Sequence, residues 1–291
     1  MNEYFYHDGK QVKRIKLPIG ESSKVRNVKV EEIFSNFSKP LYEDMCFVAD
    51  PNGKEKAIFF STRGAYKPSC GIFPYIEVKG CGVPGQGIIE KYFLEDGRDK
   101  DEIQDPIGGF SFIKALREWK MLETLQKKGI ATHIPVALLK LEEIVGPKGE
   151  ELALLIRSGK SNVRLSYVRR QTFRNYKRIA ENAMYSVGKS LTTIHNDLAL
   201  CHNALHEENI TLDGEIVDLE YMSSATPPKI YRDIWYGLLS FAEIFGTPLN
   251  VTQFVEAYTG KKRNFMITGS EMPEMEESSK KTAEKILNIK G

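Results

Sequence analysis

The chain has 291 residues, of which 41% are apolar and 27% charged, proportions typical of a soluble globular protein with one large core or two smaller ones. Its formal net charge of +2 argues against a large nucleic-acid-binding surface. Every apolar run is shorter than the roughly 18 residues of a membrane span, and the N-terminal segment MNEYFYHDGK lacks the apolar core of a signal peptide. We therefore expect a cytoplasmic protein without membrane or nucleic-acid partners.

The cysteines argue against two common kinds of site. Cys46, Cys70, Cys81 and Cys201 form no CxxC pair, the spacing that is typical of structural zinc sites and of redox motifs. We predict that these cysteines are buried thiols that pack in the core.

The first half of the chain predicts a strand-rich region. Short runs that are apolar or alternate with polar residues are separated by turn-forming residues, and they lie at 46–49, 57–60 and 75–79. Helical periodicity first occurs from Ser111 to Lys128, and Gly129 follows as a stop signal. Two further strands are expected at 134–141 and 151–157. Gly64 is predicted to lie in a turn that covers a nucleotide.

The second half predicts helices. Long helical patterns run from Gln171 to His195 and from Arg232 to Ile244, a shorter one from Val251 to Tyr258, and a charged peripheral helix ends the chain. A strand-rich lobe followed by a helical lobe is typical of the protein kinase-like fold, in which a nucleotide lies between the lobes. We therefore predict an α+β, two-lobe protein kinase-like fold, with residues 1–168 as the nucleotide-covering lobe and 169–291 as the helical, metal-binding lobe.

One polar segment of the helical half predicts metal chemistry. Protein kinases carry H-R-D-x-x-x-x-N in the catalytic loop, and its Asn and a later Asp hold magnesium. Here His202 and Asn209 have the same separation, and a turn at Asp213-Gly214 leads to an apolar strand and then Asp218. Amide and carboxylate oxygens suit magnesium that bridges phosphates. The alternative is a polar hairpin in which Asn209 and Asp218 only form turns.

The same loop departs from the kinase pattern at one position. Ala204 stands where a kinase has the Asp that accepts the proton of the substrate hydroxyl. An ordinary kinase mechanism therefore lacks its base. Either the protein is inactive or it uses ATP differently.

Further motifs, in chain order, resemble those of selenoprotein O, a pseudokinase family that transfers AMP from ATP to protein hydroxyls. They are Lys79-Gly80-Cys81-Gly82, the helix that begins at Arg117-Glu118-Trp119 and ends at Gly129-Ile130, the segment from Arg157 to Arg164, and the loop just described. The resemblance covers about 76–221, half of the chain.

The resemblance implies roles for several residues. Lys79 and Glu118 would form the ion pair of strand and helix, beside the nucleotide-binding glycines Gly80 and Gly82. Asn209 and Asp218 would bind Mg²⁺, or Mn²⁺ in its place.

The resemblance also implies a nucleotide that is flipped relative to kinases, with its terminal phosphate buried. Arg157 and Arg164 would hold that phosphate, because the guanidinium fork binds phosphate oxygens in pairs and stays charged when it is desolvated. The family has an Asp immediately before the metal-binding Asn, and Glu208 occupies that position here. Glu208 is therefore the leading candidate for the catalytic base.

The chain also departs from this family. An insertion lies around Glu90 to Gly108, and the segment after Lys79 lacks the TPYSR-like ending. The C-terminus lacks the family's selenocysteine or cysteine, so redox control through that residue is not implied.

Three further residues are predicted to be structural. His195 is expected to cap or pack at a helix end, and His202 to hold the loop together. Asp233 resembles the buried kinase Asp that accepts backbone N–H bonds from the catalytic loop.

The preferred hypothesis is an Mg²⁺-dependent protein adenylyltransferase. Its substrates would be ATP and a Ser, Thr or Tyr hydroxyl of a protein, including its own. A kinase-type phosphotransferase and an inactive nucleotide-binding scaffold are the alternatives.

Overall fold

The computed structural model describes twelve stretches of the chain: 2–7, 12–17, 22–39, 42–49, 54–60, 63–66, 75–81, 109–146, 149–160, 163–167, 176–268 and 275–288. The chain forms two compact units. The first comprises Met1–Glu123 and His133–Asn162, and the second comprises Thr124–Thr132 and Val163–Gly291. The lobe boundary at residue 168 stays a prediction.

Within its described residues, the first unit is built on an eight-stranded antiparallel sheet with the order β4-β9-β10-β8-β7-β6-β3-β5. Its strands are β3 (Ser22–Asn27), β4 (Val30–Ser35), β5 (Phe47–Ala49), β6 (Lys54–Phe60), β7 (Arg63–Tyr66), β8 (Tyr75–Lys79), β9 (Ile134–Val145) and β10 (Glu151–Gly159). A separate hairpin pairs β1 (Asn2–His7) with β2 (Val12–Leu17). Helix α1 (Phe112–Lys127) contributes most of its length to this unit.

The core of the first unit surrounds the central strands. Every residue of β10 after Glu151 is buried, because this strand lies between β9 and β8 in the sheet. The apolar core includes Phe47, Ile76, Val78, Leu139, Leu154 and Ile156. A fully buried arginine, Arg157, lies on the same strand, and such a residue requires charged or hydrogen-bonding partners.

One prediction about the first unit is wrong. Gly64 is not in a turn but within β7, where it pairs with Phe59 on one side and Val78 on the other. The sequence did not predict β7, because its four residues are too few for an alternation of apolar and polar side chains to distinguish a strand from a turn.

The second unit is mainly helical. Its helices are α2 (Tyr176–Thr192), α3 (Pro227–Phe245), α4 (Thr252–Thr259) and α5 (Met275–Asn288). A π-helical turn, Thr193–Asp197, continues α2. Two short strand pairs accompany them: β11 (Leu200–Cys201) with β12 (Ser223–Ser224), and β13 (Leu249–Asn250) with β14 (Met266–Ile267).

Local signals explain where these helices begin and end. Two prolines open α3, where a missing N–H is harmless. Gly260 follows α4 in the left-handed conformation, the usual glycine stop. A strand-rich unit with one main helix, followed by a mainly helical unit, confirms the predicted two-lobe kinase-like fold class.

The described cysteines confirm the expectation of buried thiols. Cys46, Cys81 and Cys201 are free and buried, whereas Cys70 lies outside the described residues. Burial raises the pKa of Cys46 to about 11. Burial, and secondarily the Asp233 carboxylate, raises the pKa of Cys201 to about 12.

No helix in the described part of the chain is both long and apolar enough to cross a membrane.

Candidate functional site

A buried ion pair joins strand and helix in the first unit. Lys79 ends β8, Glu118 lies on α1, and the distance from Lys79 Nζ to Glu118 Oε2 is 2.8 Å. Lys79 is 5% exposed and Glu118 is fully buried. The ammonium also lies 4.3 Å from the centre of the Phe110 ring, a cation–π distance. The structure therefore brings together the lysine and the glutamate that the sequence paired.

Arg157 extends this pair into a cluster of four charges. On β10 it lies directly opposite Glu77 of β8, and its Nε donates to Glu77 Oε1 at 3.1 Å. Its terminal nitrogens donate to Glu77 and to Glu118. Glu77, Lys79, Glu118 and Arg157 are all at most 5% exposed, and their formal charges cancel. We refer to these four side chains as the charged cluster.

The geometry of Arg157 differs from the role implied by the resemblance. The guanidinium was predicted to hold a phosphate, but here it binds two carboxylates. Phosphate contact by Arg157 stays a prediction. The signal for the observed pairing is the register between β8 and β10, which the sequence does not reveal.

The glycines after Lys79 have a structural explanation in one case. Gly80 has φ +93°, and a Cβ there would lie 2.4 Å from Ala153 O and 2.7 Å from Phe110 Cβ. Close backbone packing therefore requires glycine at this position, whatever its role towards a nucleotide. Gly82 and the insertion at 90–108 lie outside the described residues.

In the second unit, a buried carboxylate organises the loop that follows β11. Asp233 on α3 accepts the backbone N–H of His202 at 2.5 Å and that of Asn203 at 2.8 Å. This confirms the predicted structural role of Asp233. A carboxylate that accepts two backbone N–H bonds fixes the path of the loop without taking part in chemistry.

His202 connects the loop to the segment before Asp218. Its Nε2 lies 2.8 Å from Val217 O, and the Ala204 N–H points at its Nδ1 from 3.3 Å. The Val217 carbonyl can only accept a hydrogen bond, so the proton of the neutral ring lies on Nε2. Nδ1 is therefore free to accept the N–H of Ala204. Burial lowers the pKa of His202, although Asp233 opposes this shift. His202 is therefore a neutral positioning residue, as the sequence predicted.

Asn209 is oriented by its own loop. Its Nδ2 donates to Ala204 O at 2.8 Å and lies 3.2 Å from His206 Nε2. Both contacts use the nitrogen, so the amide oxygen Oδ1 is left for another partner, and none of the described residues donates to it. That oxygen is the atom a magnesium ion would use.

A tight hairpin connects Asn209 to Asp218. The Val217 N–H donates to Asn209 O at 3.1 Å, so the end of the hairpin brings the backbone before Asp218 beside Asn209. The turn at Gly214 lies against α2, where an added Cβ would be 2.6 Å from Ala183 O. The predicted turn is therefore confirmed, and glycine is required there because of its positive φ and this close approach.

Asp218 has an unusual backbone conformation. It is 5% exposed, and its φ of +63° is left-handed, which is uncommon for a residue other than glycine. Such strain persists where the surrounding structure imposes it, and it is concentrated at functional sites. The conformation is one that aspartate also adopts in turns, so the metal-binding role of Asp218 stays a prediction.

The other two predicted residues of the second unit lie along the same hairpin. Arg164 is 2% exposed and forms a bridge with Thr211, and the Leu165 N–H donates to Ile210 O at 2.9 Å. Glu208 is exposed and lies in the turn between His206 and Asn209. The structure thus places Arg164, Glu208, Asn209 and Asp218 on one local framework, and Lys79, Glu118 and Arg157 on another.

A relay of hydrogen-bonded side chains, Tyr258, His195 and Asp233, lies behind the loop, and the sequence predicted only part of it. His195, in the π-helical turn, lies 3.3 Å through Nε2 from Asp233 Oδ2 and 2.9 Å through Nδ1 from the Tyr258 hydroxyl. Burial raises the pKa of Tyr258, so its hydroxyl stays protonated and can donate. The packing role of His195 is confirmed, but the sequence has no local signal for Tyr258 on α4.

His195, Cys201 and Asp233 have ligand atoms within 4.8 Å of one another, yet they are a poor metal site. Asp233 is already bound by backbone N–H groups. The raised pKa of Cys201 disfavours the thiolate that metal binding needs. Among the predicted ligands of this unit, Asn209 Oδ1 and the Asp218 carboxylate fit Mg²⁺ better.

No protein-family profile matches the chain, and no curated protein matches it. Among solved structures, the chain is similar to WaaP in complex with acyl carrier protein, with 13% sequence identity and a TM-score of 0.45. The match covers 88% of this chain and 99% of that chain. A likeness of this degree identifies neither a reaction nor a ligand.

Proposed function

We propose that the protein is an Mg²⁺-dependent transferase that uses ATP, and that it transfers AMP to a protein hydroxyl. The observation that carries the proposal is the loop of the second unit. It has the anchoring contacts of a kinase catalytic loop, from Asp233 to the backbone of His202, but alanine at the position of the kinase base.

The surroundings of Ala204 support this departure from kinase chemistry. Its carbonyl accepts the amide of Asn209 and its N–H points at His202, so the loop keeps its form without a carboxylate there. Metal-binding groups without a base at that position suit a reaction that depends on positioning and charge stabilisation. The resemblance to selenoprotein O is the reason for proposing AMP transfer in particular.

In the proposed reaction, a Ser, Thr or Tyr oxygen attacks the α-phosphorus of ATP. The new O–P bond replaces the bond between the α-phosphorus and the bridging oxygen, and pyrophosphate leaves with that oxygen. Glu208 accepts the hydroxyl proton. Asn209 and Asp218 would hold Mg²⁺, which would offset the charge of the phosphates, while Lys79, Arg157 and Arg164 are proposed to bind them.

Phosphoryl transfer is the second candidate, and the charged cluster favours it. A strand lysine paired with a helix glutamate is the arrangement that places the α- and β-phosphates in active kinases. Lys79 and Glu118 form such a pair. The engagement of Arg157 with two carboxylates also weakens the case for a flipped triphosphate.

Separately labelled ATP distinguishes the candidates. The full chain is incubated with Mg²⁺ and ATP labelled at either the α- or the γ-phosphate, and label on protein, including the chain itself, is counted. Label from the α-phosphate alone supports AMP transfer, whereas label from the γ-phosphate alone supports the kinase reaction. ATP binding without either label indicates a scaffold.

Glutamine variants test the base. Glu208→Gln removes the carboxylate next to Asn209, and Glu207→Gln is the matched control one residue earlier. A loss of transfer confined to Glu208→Gln supports the role of Glu208. Equal activity of the two variants would exclude it.

A further inference from the structure

Asn203 occupies a special position in the loop of the second unit. Its φ is +69°, a left-handed conformation that asparagine tolerates better than most residues. Its backbone N–H donates to Asp233, so the backbone is already fixed without the side chain. The side chain is therefore available for another task.

The amide group of Asn203 is directed at the segment that follows Asp218. Nδ2 lies 2.8 Å from Tyr221 O, 3.0 Å from Ser223 Oγ and 3.1 Å from Cys201 O. Two of these neighbours are carbonyls, which can only accept, so the orientation of the amide is determined by its partners. One NH₂ group thus joins β11 to the carbonyl that ends the 3₁₀ turn Leu219–Tyr221.

The segment after Asp218 is held by neighbouring contacts as well. Ser223 pairs with Cys201 between β12 and β11, and its hydroxyl also accepts a hydrogen bond from Lys229 Nζ at 2.8 Å. The Ala225 N–H donates to Ala199 O at 2.8 Å. Within this set, Asn203 is the side chain that reaches the turn immediately after Asp218.

We infer that Asn203 is a positioning residue that holds Asp218 in its left-handed, metal-binding conformation. The inference rests on the proposed function, because it assigns Asp218 to Mg²⁺. Side chains that orient a metal ligand without touching the metal commonly change metal affinity by about ten- to a hundredfold when they are removed.

Glycine substitutions separate the amide from the backbone. Asn203→Gly keeps the positive φ and removes the amide. Ala199→Gly is the matched control, because Ala199 also has positive φ, at +49°, but its methyl group forms no hydrogen bond. Asn203→Asp keeps the shape and turns an acceptor towards the carbonyls.

The first measurement is native-state hydrogen exchange of the full chain, which does not depend on activity. We expect the backbone amides of 222–225 to exchange about tenfold faster in Asn203→Gly and in Asn203→Asp, because local opening no longer breaks the amide contacts. Residues 234–238 of α3 should exchange at the wild-type rate. Exchange in Asn203→Gly that equals that of Ala199→Gly would overturn the inference.

The second measurement is the Mg²⁺ concentration that gives half-maximal ATP-dependent transfer. We expect it to rise about tenfold in Asn203→Gly, with adenosine binding unchanged. Faster exchange with an unchanged Mg²⁺ requirement would contradict a positioning role. A wild-type chain that neither binds Mg²⁺-ATP nor transfers label refutes the proposed function instead, a result distinct from a change confined to Asn203→Gly.

Discussion

The two units bury polar groups in opposite ways. The charged cluster of the first unit contains four formal charges that cancel, whereas the loop of the second unit is organised by one carboxylate, Asp233, and by neutral donors. In the cluster, each charge depends on its partners, since a single deletion leaves a buried ion uncompensated. In the loop, the hydrogen bonds are shared among several groups, and the loss of one leaves a smaller penalty.

The largest expected effect is the loss of Arg157. In Arg157→Ala, Glu77 and Glu118 lose a buried partner, and we expect the free energy of unfolding to fall by about 3–5 kcal/mol. Chemical denaturation monitored in the first unit measures this change. Lys140→Ala is the control, because Lys140 binds Glu31 and Glu151 at the surface and such pairs contribute little. Equal effects of the two variants would contradict the importance of burial.

The loss of stability expected for Arg157→Ala makes this variant unsuitable for testing whether Arg157 binds phosphate. A truncation would combine lost binding with lost stability. Arg157→Lys keeps the positive charge but not the bidentate fork. Weaker ATP binding in a folded Arg157→Lys chain, with unchanged adenosine binding, would support phosphate contact.

The second effect concerns Asp218. We expect Asp218→Asn to lower the rate of transfer from ATP by about a hundredfold, because a neutral amide replaces the charged carboxylate that is proposed to bind the metal. Stability should change little, since asparagine also tolerates positive φ. Label incorporation and denaturation are measured together. Asp197→Asn, at an exposed position, is the control, and full activity of Asp218→Asn would place the metal elsewhere.

A smaller effect is expected from the relay behind the loop. Tyr258→Phe keeps the ring that stacks on Phe254 but removes the hydroxyl that faces His195 Nδ1. A buried acceptor without its donor should lower the free energy of unfolding by about 1–2 kcal/mol. Tyr185→Phe alters an exposed ring and should have no effect. If urea denaturation gives the same midpoint for both variants, the hydroxyl contact is unimportant.

Sequence reasoning succeeded where a pattern is local. The helix at Phe112–Lys127 and the strand at Tyr75–Lys79 have clear periodicity. The resemblance of the segment at Asp233 to the start of a kinase helix identified this residue as an acceptor of backbone N–H groups. Strand β4 was missed because it lies at the sheet edge and half of its residues are exposed. An edge strand with little burial has no reliable alternation to detect.

The sequence identified most residues of the candidate site but not all of the contacts between them. The pairing of Arg157 with Glu77 depends on the register of two strands that are far apart in sequence. The contact between His195 and Tyr258 depends on how separate helices pack. Neither relation leaves a periodic signal in the sequence, because both are set by tertiary structure.

The smallest effect concerns pH and the neutral His202. Burial lowers its pKa in the folded chain below the ordinary value of 6.5, so the unfolded chain binds a proton there first as the pH falls. The contribution of His202 to stability is therefore complete above pH 6.5 and declines from there towards the lower folded pKa, by at most about 1.4 kcal/mol per pH unit. We expect the difference in unfolding free energy between the wild type and His202→Gln to shrink over this range. A difference that stays constant from pH 7.5 to pH 5 would mean that His202 is not held neutral by burial.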